Sequence, residues 1–357
     1  MKALVLNTQK TLVVREVNDP VPLENQSLVT VVAAGIGGSE YLGFNNPGIR
    51  PLPNIMGHGI VGTVSDNNIL RKNFLNENVL SKQVLGTKST TEDEVQRVAV
   101  YPLSGCGDCQ YCRNKQTQLC EQWSLIGVQT QGGFAEKIIA PTVNLFPIPD
   151  NISWEQAVFI EPFANSVNAW ELSQATAHDS VAVIGAGGLG LGLVACASRA
   201  GCQNITVIDP SGNRRAAARS LGATILKESA SENDMLAFDS VFDTVGSTVA
   251  KNTAIALTKK LGVCTFLGFE TPLLEVNISE AIRHQKTLRG AFVFSKEQFL
   301  EAIKMVDVCH SQWVVMVTMG SVEPVLKKFL SGDFSVVKAA LQHSSCPSLN
   351  RNDYFPS

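Results

Sequence analysis

Two groups of residues in this chain have the types and spacing to do chemistry. Cys106, Cys109, Cys112 and Cys120 fall within fifteen residues, with two residues between each of the first three and seven before the last. Four thiolates so spaced can close a tetrahedron around one zinc ion, and a shell of four protein ligands leaves no position open for water, so such a site is structural. Residues 105–121 hold few apolar side chains, so the folding of this lobe should depend on its metal. Four free or redox-active thiols are the competing reading, and the spacing argues against it.

The second group is Gly185-Ala186-Gly187-Gly188-Leu189-Gly190, which follows Val181-Ala182-Val183-Ile184 directly. A strand running into G-x-G-x-x-G and then a helix is a dinucleotide fingerprint. Gly185 permits the tight turn, Gly187 lets a pyrophosphate approach the backbone, and Gly190 lets the helix pack closely on the strand. The phosphates then rest on the free amides of Gly187, Gly188 and Leu189 at the positive end of the helix. The next predicted strand, 205–208, ends in Asp209, nineteen residues after Gly190. An acid at that spacing hydrogen-bonds ribose hydroxyls and repels a 2′-phosphate, which favours NAD over NADP. Arg214, just beyond, can stack near the adenine or pair with phosphate. A glycine-rich turn with no ligand would not explain strand, glycines, helix and acid in register.

These groups need elements to position them. The first ~150 residues break into short apolar runs divided by turn residues, as a β-rich domain does. Residues 27–34, 60–64, 98–101 and 134–140 are examples. After Pro149-Asp150 the texture changes to longer helix-compatible stretches over 154–172. From 180 to about 290, predicted strands (180–184, 205–208, 240–243, 263–267) alternate with predicted helices (191–199, 213–221, 249–261), the pattern of βαβ units on a parallel sheet. Helices over 296–308 and 322–331 and a last strand over 336–341 complete the chain. Residues 66–96 show little periodicity. Loops of that length are functional or mobile, and the plainer reading is a solvated surface insertion.

Bulk composition narrows the classes. The chain has 357 residues, which suggests two domains, and is 45% hydrophobic and 17% charged, a globular composition. With 29 basic against 32 acidic residues, it lacks the basic excess of a nucleic-acid binder. No apolar run approaches the ~18–20 residues of a membrane span. The opening Met1-Lys2-Ala3-Leu4-Val5-Leu6-Asn7 is too short for a signal peptide and reads as a strand. Nine cysteines, an odd number with one tight cluster, argue for reduced thiols and against a disulfide framework. The expected location is the cytoplasm.

In order, the motifs resemble the zinc-containing alcohol dehydrogenases of the medium-chain dehydrogenase/reductase family, in particular its sorbitol and polyol branch. Ala33-Ala34-Gly35-Ile36-Gly37-Gly38-Ser39-Glu40 resembles A-x-G-I-C-G-S-D, and Gly57-His58-Gly59-Ile60-Val61-Gly62-Thr63-Val64 resembles G-H-E-x-x-G-x-V. The cysteine lobe has the family spacing. Gly132-Gly133-Phe134-Ala135-Glu136, the passage from Pro149 to Glu161-Pro162, the ribose loop Asp209-Pro210-Ser211-Gly212-Asn213-Arg214 and Val337-Lys338 extend the likeness over nearly the whole chain. The resemblance implies an α/β protein: a GroES-like β-barrel catalytic domain (1–153, carrying the zinc lobe 105–121) and an inserted Rossmann domain with a doubly wound parallel sheet (154–290). Residues 291–357 complete the catalytic domain. It also implies an active site in the cleft, NAD, one structural zinc per chain and a homodimer or homotetramer.

The resemblance does not carry over cleanly at the catalytic centre. The family holds its catalytic zinc by a Cys, a His and a Glu or second Cys. The matching positions here are Gly37, His58 and Glu161, so the cysteine is missing. Glu40 stands where Asp is usual, Leu42 where His is usual and Gly59 where Glu is usual. Three outcomes stay open. Glu40 replaces the cysteine as ligand; or no zinc binds and Ser39, Glu40 and His58 donate and accept protons; or the site is catalytically dead. Tyr41 and Trp170 either line the pocket or pack in the core. The leading expectation is an NAD-dependent dehydrogenase interconverting a secondary alcohol and a ketone on a polyol, sugar-like or cyclitol metabolite. Ser39 would relay the hydroxyl proton, and His58 and Glu161 would hold zinc or polarise the oxygen. A zinc-free reductase of a conjugated or iminium-like substrate and a non-catalytic NAD-binding protein are the rivals.

Overall fold

The structure, a computed structural model, describes residues 1–65, 95–273, 275–276 and 278–343. Nearly all of the aperiodic segment 66–96 lies outside the described residues. The chain folds into two compact units, the first formed by Met1–Glu161, Cys309–Asp333 and the chain from Lys338, the second by Pro162–Val308 and Phe334–Val337.

The first unit is built on a seven-stranded sheet. Its order is Leu145–Pro147, Gln96–Val100, Ile60–Val64, Gln26–Ile36, Lys338–Gln342, Val314–Val317, with Lys137–Pro141 paired to the early half of Gln26–Ile36. Gln26–Ile36 is long enough for this because a register shift between Val31 and Ala33 bends it from one partner to the next. The strand Lys338–Gln342 adds antiparallel to its far half, with Ala339 opposite Ile36 and Ala340 opposite Gly35. Val29, Val31, Ile36, Ile60, Val98, Val100 and Phe134 are buried in the core of this unit. A three-stranded sheet of Thr11–Glu16, Lys2–Thr8 and Asn54–Ile55 lies in the same unit. These are the GroES-like barrel features that the motifs implied.

The second unit carries a six-stranded, wholly parallel sheet. Its order is Ile225–Lys227, Asn204–Ile208, Ser180–Ile184, Phe238–Asp243, Thr258–Phe266, Thr287–Gly290. The chain runs outward from Ser180–Ile184 to one edge, returns, and runs to the other. That doubly wound order puts its switch point at the end of Ser180–Ile184, where such sheets take ligands. Near-continuous apolar strands suit a sheet covered on both faces. Ala182, Ile184, Ile208, Val241, Ala254, Leu257 and Cys264 form one core cluster.

One predicted helix is shorter than its apolar period suggests. Residues 249–261 divide into a helix Thr248–Leu257 and the start of strand Thr258–Phe266. The Thr258 hydroxyl donates to the Ala254 carbonyl at 2.8 Å, and Leu261 sits at φ 63°. The first takes up a helix-end carbonyl, and the second is a backbone conformation that no helix continues through. Among the described residues no helix is long and apolar enough to cross a membrane.

Candidate active site

Within the first unit, Cys106, Cys109, Cys112 and Cys120 bring their sulfurs to within 4.8 Å of one another, the one such grouping of potential metal ligands among the described residues. Four sulfurs each ~2.3 Å from a zinc stand about 3.8 Å apart in a regular tetrahedron. The Cys106–Cys112 separation of 4.0 Å is close to that. Main-chain N–H groups already point at the sulfurs: Cys109 donates to Cys106 (3.3 Å), Cys112 to Cys109 (3.5 Å), and Cys106 and Gln122 to Cys120 (3.4 and 3.3 Å). The N–H groups of Asp108 and Cys109 lower the Cys106 thiol while burial raises Cys112, so of the two Cys106 is the readier to ionise. Gly105 must lack a side chain, since a Cβ there would lie 2.7 Å from the Cys112 sulfur. The donor set fits a structural zinc.

Within the second unit, the glycine turn has the shape a pyrophosphate needs. Gly185 is at φ 88°, in the left-handed region. A Cβ on Gly190 would lie 1.9 Å from the Gly185 carbonyl oxygen, so residue 190 has to be glycine for the helix Gly188–Ala200 to begin there. Gly187 caps that helix in extended conformation, and within 4 Å of a Cβ on it only the Arg214 guanidinium would be found. The amides of Gly187, Gly188 and Leu189 thus open the helix, the place where N–H groups lack intrahelical partners. Ser166 fixes the helix from behind by donating to the Leu189 carbonyl at 2.7 Å.

Asp209 closes its strand and is buried. Its Oδ2 accepts from the Ala186 N–H and its Oδ1 from the Ser211 N–H, both at 2.7 Å. Each carboxylate oxygen accepts two hydrogen bonds, so both keep capacity for ribose hydroxyls. Arg214 donates from Nε to the Val336 carbonyl at 3.2 Å and lies over the Phe334 ring at 5.0 Å. It is thereby held at the Gly187 edge of the turn. Trp170 stacks on Phe242 at 6.0 Å between ring centroids, a packing contact within this unit.

The third cluster lies in the first unit around His58. Gly37 caps the helix Gly38–Asn45, and Glu40 in its first turn folds back so that Oε2 accepts the Gly37 N–H at 2.9 Å. The other oxygen, Oε1, is 2.6 Å from His58 Nδ1, and Glu161 Oε1 is 3.4 Å from His58 Nε2. His58 is therefore held between two carboxylates, one on each ring nitrogen. Burial works against its imidazolium, but Glu40 and then Glu161 outweigh it and hold His58 up at about 10. Burial likewise raises the Glu40 carboxyl, yet His58, followed by Lys338 and Arg50, brings it down to about 2. Ser39 sits at the rim of this cluster, where Arg50 Nη2 donates to its hydroxyl at 3.0 Å and to its carbonyl at 3.1 Å. Arg50 has room because residue 43 is glycine: a Cβ there would come within 2.3 Å of its guanidinium. Tyr41 packs edge-on to Phe329.

A catalytic zinc does not fit these donors as they stand. A metal needs lone pairs converging on one point. His58 Nε2 and Glu161 Oε1, 3.4 Å apart, could share one ion, and Glu40 on Nδ1 is the kind of partner a ligating histidine has, but among the described residues no third donor joins them where the cysteine is missing. A Cβ on Gly37 would meet Glu40 Oε2 at 3.6 Å and Lys338 Nζ at 3.8 Å, so a carboxylate and an ammonium border the place of the missing cysteine. Arg50 and Lys338 did not stand out as site residues in the sequence. Arg50 lies in a Pro- and Gly-rich loop with no pattern to mark it. Lys338 did leave a signal, a single charge inside the apolar run Val336-Val337-Lys338-Ala339-Ala340-Leu341.

A doubly wound sheet with a phosphate turn, and a barrel with a thiolate knuckle, define a nicotinamide-dependent oxidoreductase. The comparisons with known proteins agree. The alcohol dehydrogenase GroES-like domain matches residues 23–150, and the zinc-binding dehydrogenase domain matches residues 188–307. The chain is 29% identical over 310 residues to the L-galactonate-5-dehydrogenase of Escherichia coli K12, covering 84% of this chain and 85% of that one. It is 27% identical over 325 residues to the L-threonine 3-dehydrogenase of Shewanella baltica OS185, covering 87% and 89%. Among solved structures, the acetophenone reductase of Geotrichum candidum in complex with NAD superposes with a TM-score of 0.81 over 96% of this chain and 97% of that one, at 23% identity, a likeness of fold. The chain belongs to the zinc-type alcohol dehydrogenases of the medium-chain dehydrogenase/reductase family.

Proposed function

We propose that this protein is an NAD-dependent dehydrogenase that interconverts a secondary alcohol and a ketone on a small, polyhydroxylated metabolite, a polyol, sugar acid or cyclitol. The observation that carries the reading is the phosphate turn in register with Asp209: an open helix start at Gly187 and a buried carboxylate with lone pairs left for a ribose. Asp209 repels a 2′-phosphate, so NAD is the expected cofactor, with Arg214 beside the turn on the adenosine side. NAD supplies a hydride acceptor. The chain's own residues bind and orient the cofactor, exclude water from the reacting carbon and hold the hydroxyl proton. Ser39, at the half-buried rim, suits the relay of that proton toward solvent, while Glu40, His58 and Glu161 form the charged floor beneath the substrate oxygen. The cysteine knuckle would hold one structural zinc. L-galactonate is a polyhydroxylated acid and L-threonine a hydroxy amino acid, and both are small polar acids carrying a secondary alcohol, by the names of the relatives that act on them.

Family membership supports a homodimer or homotetramer, as do the exposed apolar side chains Phe269, Ile278, Ile282 and Leu288 near the open sheet edge Thr287–Gly290. The eight described cysteines are all unpaired, which favours a reducing compartment such as the cytoplasm. The test is NADH and NADPH titration by fluorescence, followed by a panel of D-sorbitol, galactitol, L-galactonate, L-idonate, 2,3-butanediol, L-threonine and myo-inositol with NAD. Tight NADH binding, weaker NADPH binding and turnover of at least one polyol or sugar acid are expected. Failure of both cofactors to bind the folded protein overturns the reading.

A further inference from the structure

Resting on that dehydrogenase reading, we infer that Lys338 is a catalytic residue whose ammonium, with Glu40 as counter-ion, takes the electrophilic role at the His58 centre and donates the proton to the substrate oxygen. Four observations converge on it. Lys338 opens the closing strand in an apolar run and is only 7% exposed, a place where lysine is rarely found without a partner or a task. Its strand pairs Ala339 with Ile36 and Ala340 with Gly35, which delivers residue 338 beside Gly37. Its Nζ would be 3.0 Å from a Cβ on Gly35 and 3.8 Å from one on Gly37, so two glycines, one in the strand and one just past its end, leave the space that the ammonium uses. Glu40 borders the same space from the other side, with Oε2 3.6 Å from the Gly37 Cβ position.

Lys338 and Arg50 both act on Glu40 and help to hold its carboxylate ionised. Arg50 bonds to Ser39 and to the Gly127 carbonyl (3.3 Å), which makes it a support. An ammonium is also the better acid. It gives up a proton readily when desolvated, whereas a guanidinium does not. In the reducing direction, the nicotinamide C4–H bond breaks and its hydride forms a C–H bond at the carbonyl carbon. The carbonyl π pair moves to oxygen, and an Nζ–H bond breaks to form the O–H. NADH is oxidised, the ketone is reduced, and the neutral lysine regains its proton from water. In the oxidising direction the amine accepts the hydroxyl proton as hydride leaves for NAD.

The experiment combines zinc content by mass spectrometry with kinetics on the wild-type protein, Lys338→Arg and Lys338→Met, using whichever member of the panel the wild type turns over. About one zinc per chain is expected, all of it in the knuckle. Both variants should lose kcat by about 100-fold or more, the range of a general acid, with NADH affinity unchanged. Lys338→Arg is the deciding variant, since it keeps the positive charge beside Glu40 and removes the proton donor. If Lys338→Arg keeps wild-type kcat, the lysine only neutralises Glu40 and the inference is overturned. If NADH affinity falls while kcat at saturating NADH survives, the lysine serves the cofactor, which also overturns it. Two zinc ions per chain with full activity place a metal where the lysine was assigned and overturn it as well. An intact protein that binds NADH and turns over no member of the panel overturns the dehydrogenase reading itself, and the wild type alone shows this.

Discussion

The cysteine knuckle and the His58 centre lie in the same unit and belong to the same family pattern, yet they have diverged differently. In the knuckle the four sulfurs come from one short stretch, local main-chain N–H groups orient them, and all four ligands are present. In the His58 centre the groups come from five separate segments: Glu40 from a helix start, Arg50 from a loop, His58 from the approach to strand Ile60–Val64, Glu161 from a helix and Lys338 from the closing strand. A local site loses its metal as soon as one ligand changes, because nothing else is near to replace it. A site assembled from distant segments can keep its shape while its chemistry is exchanged residue by residue. The missing cysteine at Gly37 fits the second case, since a carboxylate, an imidazole and two cations now hold the space together.

The largest expected effect tests the local half of that contrast. Cys112→Ser, or removal of zinc with a strong chelator, should empty the knuckle and unfold residues 105–121. Structural zinc in such lobes contributes on the order of 10 kcal/mol, and the lobe has little apolar material of its own. Zinc content should fall from about one per chain to none, with rapid proteolytic cleavage inside the lobe while NADH still binds. A Cys112→Ser protein that keeps its zinc and resists protease would show that the two regions do not differ in this way.

Next in size is Glu40→Gln. The amide can still accept the Gly37 N–H but carries no charge for His58, Lys338 and Arg50. Breaking a buried pair by removing one partner costs about 3–5 kcal/mol. Urea denaturation should show that loss, and Glu161→Gln a smaller one, because Glu161 is further from the ring (3.4 against 2.6 Å). Equal losses would mean that the two carboxylates share His58 evenly.

How far each region could be read from the sequence follows the same division. The strand, glycine turn, helix and Asp209 are consecutive, so the doubly wound unit was legible from periodicity and spacing. The knuckle was legible from spacing alone. The barrel strands could be placed as short apolar runs, but their order could not, because the strand Gln26–Ile36 pairs with Lys338–Gln342 at the far end of the chain. That pairing brings Lys338 to Gly37, and no local pattern encodes it. The changes at Gly37, Glu40, Leu42 and Gly59 told of a rebuilt centre, but not that an ammonium and a guanidinium lie beside it. The helix Thr248–Leu257 ended early for a similar reason: the parallel partner Phe238–Asp243 draws the following residues into the sheet.

The pH dependence of stability should separate the regions more finely. His58 is raised from 6.5 to about 10 in the folded protein, so its contribution is whole below pH 6.5 and is lost as pH rises through about 10. Glu40 is lowered from 4.5 to about 2, so its contribution is whole above pH 4.5 and is lost as pH falls through about 2. Both describe the same pairing seen from its two ends, and the pairing contributes most between pH 4.5 and 6.5. The Tm difference between wild type and His58→Gln should be greatest in that interval and shrink steadily toward pH 10. A difference that grows with pH would mean that His58 is neutral between its carboxylates.

The smallest expected effect is the sharpest on the comparison. Gly37→Cys restores the residue that the family uses, and a Cβ there meets nothing closer than 3.6 Å, so the protein should fold with stability near wild type. If the centre differed from a zinc site by one residue only, this change would recruit a second zinc. The arrangement argues otherwise. The new thiol would enter between Lys338 and Glu40, with an ammonium already beside the place a metal would take, so zinc content should stay at about one per chain. Activity should fall, because the sulfur fills the space that the substrate oxygen needs beside the ammonium. A second zinc in Gly37→Cys, bound tightly enough to survive dialysis, would mean that the flanking groups follow whichever residue stands at 37, and that the difference between the two regions rests on that one position.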